Sequence, residues 1–175
     1  DPDTYRYIPA SIRQYPGADA VARRFQSCGF TGVRWYPVLG GLMTKTNKLG
    51  LIGGFTYAPT QVCFHEAFKQ GAKSVNPDVE IAETWTGTWY DVAIGYEAAN
   101  AMIDGDADFI AISLSGPGFG AIDAAKDHNA KGGNKVYVVG AFVDMNSRAP
   151  DTVITSTLWL TTQPTLKLID IIRAG

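Results

Sequence analysis

Short apolar runs alternate with segments of helical periodicity from Lys48 to the end of the chain. The runs are bounded by glycine, proline, asparagine or aspartate, which is typical of buried strands; they cover 49–53, 79–86, 107–113, 135–140 and 151–160. Between them, apolar and small residues recur every three or four positions, as on the buried face of a helix. This alternation predicts an α/β fold: a parallel sheet with right-handed crossovers, flanked by helices on both faces.

The pattern also gives limits for some of the helices. The apolar positions of the first run from Phe64 to Val75 and stop before the sequence NPD, where proline cannot continue a helix. Asp91 precedes the apolar positions of the second and is predicted to cap its amino terminus. A last helical segment contains Leu166 and Ile169, and we expect this tail to leave the main sheet.

The beginning of the chain has a different pattern. Pro2, Pro9 and Pro16 interrupt it, and its periodic segments are too short to form a sheet with covering helices. We predict an amino-terminal arm or cap over residues 1–29 and a single α/β lobe over residues 30–175. The arm is a candidate to add a strand to a neighbouring sheet edge.

A glycine-rich stretch, SGPGFGAIDAAK, follows the third predicted strand. In a parallel sheet the ligand site lies beyond the carboxyl ends of the strands, so Gly116 and Gly118 fall where a ligand would bind. Pro117 lacks an amide donor and the spacing is not the dinucleotide fingerprint, which argues against a phosphate site. Two interpretations stay open: the backbone contacts a small ligand, or the glycines only permit a tight turn from strand to helix.

Composition and charge exclude several classes of function. The chain of 175 residues is 46% hydrophobic and has a formal net charge of −2, so it has no basic footprint for nucleic acid or an anionic membrane surface. No apolar run approaches the roughly 20 residues of a transmembrane helix, so we expect no transmembrane segment. The chain begins at Asp1, which allows it to be a processed product of a longer precursor.

The cysteines and histidines do not predict a catalytic or metal site. Cys28 and Cys63 lack metal-ligand spacing; in a secreted protein they are candidates for a disulfide, and in the cytosol for two buried thiols. We expect surface or capping roles for His65 and His128. With no Ser-His-Asp set and no activated cysteine, the sequence predicts no enzyme, no cofactor and no metal.

Six ordered motifs resemble the basic membrane protein family, bacterial lipoproteins that capture purine nucleosides with a type I periplasmic-binding fold. They are GLMTKTNKLGLIGG, GAKSVNPDVEI, TGTWYD, AMIDGDADFI, GFGAIDAAK and APDTVITS. The resemblance extends from about Gly40 to Arg173. Family members have two lobes that clamp the solute, and the resemblance implies that this chain holds only the second, flavodoxin-like lobe.

The resemblance also implies a set of ligand-binding positions. Phe55 lies where the family has an aromatic residue that stacks on the base, and Trp89 in TGTWYD lies where it would line the cleft. The family places a glycine-rich turn at Gly116 and Gly118, which lets the backbone approach the ligand. For Asp91, capping is the expected role.

The positions that bind ribose in the family differ here. The family pattern aligns Phe142 with an aspartate, and Trp159 with a lysine, that hold the ribose hydroxyls; the second acidic position survives as Asp144. Loss of two charged hydrogen-bonding partners removes roughly two to four decades of affinity. We expect the large apolar side chains to pack against the arm or another chain instead.

These observations lead to two hypotheses for an extracellular, periplasmic or cell-surface protein. The first is a non-catalytic protein that acts by association, as a homo-oligomer or with a separate first-lobe chain, its ribose site degraded. The alternative is a solute-binding module of a transport or sensing system, which retains a site for a purine nucleoside or a related small molecule.

Overall fold

The computed structural model describes residues 36–158 and 162–174 of the chain. Helices and strands alternate through this part. The elements are α1 (Tyr36–Met43), β1 (Lys48–Gly53), α2 (Pro59–Val75), β2 (Glu80–Trp85), α3 (Val92–Asp104), β3 (Phe109–Ile112), α4 (Gly116–Ala130), β4 (Tyr137–Phe142), a short 3-10 helix (Asn146–Arg148), β5 (Val153–Leu158) and α5 (Thr162–Ala174). The alternation from β1 onward follows the predicted order of elements.

The strands form one parallel sheet with the order β2-β1-β3-β4-β5. Every neighbouring pair is parallel, which confirms the predicted α/β class. The segment 151–160 supplies β5, which pairs with β4 at the edge of the sheet. The order reverses direction between β1 and β3, and the loops after these two strands therefore flank the crevice in which such folds bind ligands.

Alternation along the strands divides the core into two layers. Leu49, Leu51 and Phe109 belong to the cluster that includes Phe64 and Phe68 of α2. The intervening strand positions face α3 and α4 in a second cluster; they include Ile52, Ile110, Ile112 and Val138. Each fully buried side chain of this size contributes about 1.5–3 kcal/mol to folding, so both faces of the sheet stabilise the fold, as a doubly covered parallel sheet requires.

The glycine-rich stretch forms the first turns of a helix, whereas the sequence interpretation placed a turn before that helix. Gly116 opens α4, and Gly118 lies in its first turn. A β-carbon on Gly95 of α3 would overlap the carbonyl oxygen of Pro117, and one on Gly120 would overlap that of Val92. Gly95 and Gly120 therefore let α3 and α4 pack closer than any side chain at these two positions would allow.

Helix α5 exposes most of its apolar side chains. Leu166, Leu168, Ile171 and Ile172 are each at least 50% exposed. Among residues 36–158 and 162–174, no helix is long and apolar enough to cross a membrane. The predicted arm over residues 1–29, Cys28 and Trp159 lie outside the described residues, so the disulfide and the role of Trp159 stay predictions.

Candidate functional site

Three aromatic side chains meet beyond the carboxyl ends of β1 and β2. The ring centroid of Phe55 lies 4.8 Å from that of Tyr57 and 5.0 Å from that of Trp89. Phe55 is half-buried, whereas Tyr57 is 72% exposed. We call Phe55, Tyr57 and Trp89 the aromatic surface. Two of its members, Phe55 and Trp89, are the aromatic positions that the sequence analysis selected.

The loop after β2 holds Trp89 against the sheet. Its ring covers the backbone of Gly54, where a β-carbon would come within 2.9 Å of the indole. The carbonyl oxygen of Trp89 accepts a hydrogen bond from the amide of Gly116 at 3.2 Å. Two residues later, Asp91 accepts bonds from the amides of Ala93 and Ile94, which confirms the predicted cap of α3.

The two predicted ligand-contacting glycines are engaged within the protein. The amide of Gly116 is the donor to Trp89, and a β-carbon on this residue would meet the backbone of Tyr90 at 2.6 Å. Gly118 is buried, and its β-carbon position is 2.7 Å from Cδ1 of Ile112. The structure therefore gives both residues a packing role, while ligand contact at either of them stays a prediction.

A buried glutamine joins the loop after β1 to the end of β3. Gln61 of α2 is 5% exposed. Its Oε1 accepts hydrogen bonds from the amides of Gly54 at 2.7 Å and Phe55 at 3.1 Å, and its Nε2 donates to the carbonyl oxygen of Ser113 at 2.6 Å. The side chain thereby satisfies three backbone groups, two buried and one part-buried, at the point where the sheet order reverses.

His65, one turn after Gln61, is fully buried, which corrects the expected surface role. Its Nδ1 lies 2.6 Å from Oε1 of Glu83, and its Nε2 lies 3.1 Å from Oγ of Ser113. The ring stacks on Trp85 with the centroids 4.3 Å apart. Gly53 makes room for both rings, because a β-carbon there would come within 2.8 Å of each.

Burial determines the charge state of this histidine. Desolvation lowers the pKa of His65 below its usual value, against the raising effect of the hydrogen bond to Glu83. Burial tends to raise the pKa of Glu83, but hydrogen bonds from Lys69 and His65 outweigh it and the net shift is downward. At neutral pH, neutral His65 therefore donates from Nδ1 to the Glu83 carboxylate, and Nε2 accepts from the Ser113 hydroxyl.

Glu83, His65 and Ser113 have the distances of a serine-histidine-acid triad but not its accessibility. Ser113 is 4% exposed and His65 is 0% exposed. A nucleophilic serine needs space for the substrate carbonyl beside its oxygen. The burial of both residues favours a role in holding the strand ends together.

The sequence contains a signal for this cluster, which the expected surface role of His65 does not take into account. Gln61 and His65 occupy the same helical stripe as Phe64 and Phe68, the predicted core face of α2. A polar residue inside an apolar stripe indicates a buried hydrogen-bonding group. The partners of His65, on β2 and directly after β3, could not be read from the sequence, because they lie 18 and 48 residues away from it.

Phe142 is the last residue of β4, and Asp144 lies just beyond the carboxyl end of that strand. Phe142 packs at the margin of the same core cluster as Trp89, and its φ is 70°. The amide of Val143 donates to the carbonyl oxygen of Ala141 at 2.9 Å, which closes a three-residue turn that is strained for a bulky residue. Asp144 is exposed, and its Oδ1 accepts from the amide of Asn146 at 3.0 Å.

The family model for PnrA-like substrate-binding proteins of ABC transporters matches residues 38–167. Basic membrane protein A of Borreliella burgdorferi is 33% identical over 115 residues, which are 66% of this chain and 32% of the relative. TsgA13 of Haloferax volcanii, whose name suggests a glucose-binding role in an ABC transporter, is 32% identical over 130 residues, 73% of this chain and 31% of the relative. The chain thus spans about a third of the length of these curated relatives.

Solved structures share the fold. An ABC transporter solute-binding protein from Aeropyrum pernix superposes with a TM-score of 0.63 at 22% identity, over 71% of this chain and 37% of the other. A transcriptional activator of the comK gene from Bacillus halodurans gives a TM-score of 0.58 at 24% identity, over 71% and 40%. The five-stranded lobe is therefore one lobe of the periplasmic-binding-protein fold, which occurs in transport and in regulation.

Proposed function

Because the chain belongs to the PnrA-like family of ABC transporter substrate-binding proteins, we propose that it forms one wall of a solute-binding cleft. The aromatic surface carries this proposal. Phe55 and Trp89 follow two neighbouring strands on the carboxyl side of the sheet, their ring centroids 5.0 Å apart. Binding clefts of such folds lie at this edge, and the backbone amides of Gly54 and Phe55 are already satisfied by Gln61.

The solute that fits this surface is a small molecule with a flat ring. An aromatic contact contributes about 0.5–1.5 kcal/mol beyond the area that it buries. The family resemblance points to a purine nucleoside, whose base would lie on Phe55. At the aligned ribose position Phe142 offers no hydrogen bond from its side chain, so we expect the base to contribute more to affinity than the sugar.

The same proposal includes the location and the chemistry of the protein. A substrate-binding protein captures its solute on the outer side of the cytoplasmic membrane, so we place this one in an extracellular, periplasmic or cell-surface position. Its role is to bind without converting the solute. The burial of Ser113 and His65 supports a non-catalytic role.

Calorimetry with the purified chain tests the proposal. Adenosine, guanosine, inosine and glucose are titrated in turn, and binding of a nucleoside to the wild type but not to Trp89→Ala is the expected result. Phe142→Asp restores the family's acid, and aspartate tolerates a positive φ better than phenylalanine; it should raise nucleoside affinity about tenfold, whereas Phe142→Leu should not. Absence of binding to all four solutes would refute the proposal.

Association is the second candidate, and the exposed apolar side chains of α5 favour it. Leu168, Ile171 and Ile172 are 57%, 60% and 70% exposed, and exposed apolar patches mark interaction sites. A homo-oligomer or a separate first-lobe chain would cover them. Light scattering tests self-association: Ile172→Glu should lower the mass in solution, and the exposed Lys167→Glu serves as the control.

A further inference from the structure

Gln61 and His65 are the buried polar side chains of α2, at positions i and i+4. Residues four apart lie on one face of a helix, so both side chains point into the same space beneath the strand ends. Between them they contact β2, Ser113 directly after β3, and the loop after β1. Two polar residues on the core face of one helix thus join the three strand ends that flank the proposed site.

Gln61 acts directly on the segment that carries the aromatic surface. It holds the amide of Phe55, and it holds the amide of Gly54, against whose backbone the Trp89 ring packs. Any movement of the Gly54–Phe55 peptide would move the Phe55 side chain and remove the support beneath Trp89. The distance between these two rings therefore depends on the Gln61 amide, which holds the backbone that carries one ring and supports the other.

His65 acts on the other partner of Gln61. The Ser113 hydroxyl lies 3.1 Å from Nε2 of His65 and 3.3 Å from the carbonyl oxygen of Ile52. The hydroxyl can donate its one proton in a hydrogen bond to either of these acceptors. While His65 is neutral, the hydroxyl donates to Nε2. If His65 gains a proton, Nε2 becomes a donor, and the hydroxyl must turn toward Ile52.

The charged groups around His65 allow both states. Glu83 of β2 faces Nδ1, while Lys69 of α2 bonds to Glu83 at 2.9 Å and to Glu66 at 3.0 Å. The carboxylate of Glu83 would pair with an imidazolium, whereas burial and Lys69 oppose one. Protonation thus changes the hydrogen bonding of Ser113, whose carbonyl oxygen accepts from Nε2 of Gln61, while every polar group of this cluster retains a partner.

We propose that Gln61 and His65 are positioning residues: through Gly54 and Ser113 they set the approach of Phe55 to Trp89, and His65 does so as the neutral imidazole. The solute-binding consequence rests on the proposed function. The placement of the two rings does not, because it follows from hydrogen bonds within the chain. Uptake of a proton by His65 shifts the aromatic surface and weakens its contact with a ring.

Nuclear magnetic resonance tests the placement without any ligand. The chain has two histidines, so the imidazole nitrogens of His65 and His128 can be resolved, with His128→Gln as the assignment control. On titration from pH 7.5 to 5, the Trp89 indole and Phe55 amide signals should move with the midpoint of His65. His65→Gln keeps a group that reaches Ser113 but cannot titrate in this range, and it should abolish that movement.

Substitution of Gln61 gives a second readout. Gln61→Met keeps the length of the side chain and removes the amide, and it should shift the Trp89 indole signal. Gln70→Met, at an exposed position of the same helix, is the matched control and should leave that signal in place. If the Trp89 signal ignores both the titration of His65 and Gln61→Met, the proposal is overturned.

Calorimetry with adenosine separates this proposal from the proposed function. The wild type should lose affinity as the pH falls through the His65 midpoint, His65→Gln should not, and Gln61→Met should bind about tenfold more weakly at pH 7.5. Wild-type protein that binds no adenosine contradicts the nucleoside function, and the resonance experiments then decide the placement alone. Variants that bind like the wild type at every pH contradict the positioning role.

Discussion

At each end of the parallel sheet, a buried polar side chain binds the backbone of a neighbouring loop. The surfaces exposed at the two ends differ. At the amino end, the buried Asp108 accepts hydrogen bonds from Oγ1 of Thr44 and from the amides of Lys45 and Thr46. At the carboxyl end, Gln61 joins a loop to β3 in a comparable way. The two ends differ in the side chains that they expose to solvent.

The most exposed aromatic side chains that the structure describes, Tyr57 and Tyr90, both follow strands at the carboxyl end. There the buried side chain of Gln61 forms hydrogen bonds with the backbone of the loop, and the aromatic rings stay accessible to solvent. At the amino end the loop before β1 is tied down by Asp108. One end therefore contributes mainly to stability, and the other combines a rigid backbone with a surface that can bind.

The largest effect is expected at the amino end. Asp108→Ala removes the acceptor of three donors and should lower the free energy of unfolding by about 2–4 kcal/mol, measured by urea denaturation. Asp106→Asn, two residues earlier, changes an exposed carboxylate paired with Lys48 and should cost less than about 0.5 kcal/mol. Equal midpoints for the two variants would show that the buried Asp108 contributes no more to stability than an exposed surface pair.

A smaller loss of stability is expected where α3 packs on α4 beside the carboxyl end. Gly95→Ala places a methyl group on the carbonyl of Pro117, and the strain should cost about 1–3 kcal/mol. Gly105→Ala is the control, because its β-carbon would have no neighbour closer than 3.3 Å. The thermal midpoints of the two variants give the measurement, and a Gly95→Ala protein as stable as the wild type would show that the helices can separate at no cost.

At the aromatic surface the effect should fall on binding. Phe55→Ala should weaken adenosine binding about tenfold and change stability little, because the ring is half-buried. Phe55→Leu keeps apolar volume without a flat ring and should lose nearly as much affinity. Calorimetry and denaturation of the same samples separate the two quantities; retention of full affinity by Phe55→Leu would argue against stacking.

The smallest effect is a dependence of stability on pH. Because the pKa of His65 is lowered in the folded state, the unfolded chain binds more protons below about pH 6.5, its unperturbed value. Stability therefore falls as the pH decreases from that value toward the folded pKa, by at most about 1.4 kcal/mol per pH unit. Below about pH 4.5, loss of the Glu83 charge adds to the decline, since the pKa of Glu83 is also lowered.

Denaturation at pH 7, 6 and 5 measures this dependence. In His65→Gln the fall between pH 6.5 and 5 should be absent, and in His128→Gln it should persist. A profile that is the same in all three proteins would assign the acid sensitivity to other groups.

Local patterns predicted much of the fold and part of the site. The strand runs, the cap at Asp91 and the parallel sheet all follow from short-range spacing, and the structure confirms them. Phe55 and Trp89 became site candidates through the family resemblance, and the structure places their rings 5.0 Å apart beyond the strand ends. Phe142 and Asp144 were placed by resemblance; the structure locates Phe142 at the end of β4 and Asp144 just after it, and their part in ligand binding stays a prediction.

The sequence by itself determined the alternation of strands and helices, because a period of two or of 3.6 is written into neighbouring residues. Only the tertiary structure decided that His65 is buried, that Gly116 and Gly118 belong to a helix packed against its neighbour, and that Asp108 serves the loop before β1. Each of these depends on contacts between elements far apart in the chain. Such contacts form when the strands assemble into the sheet, and the hydrophobic periodicity of a short segment contains no information about them.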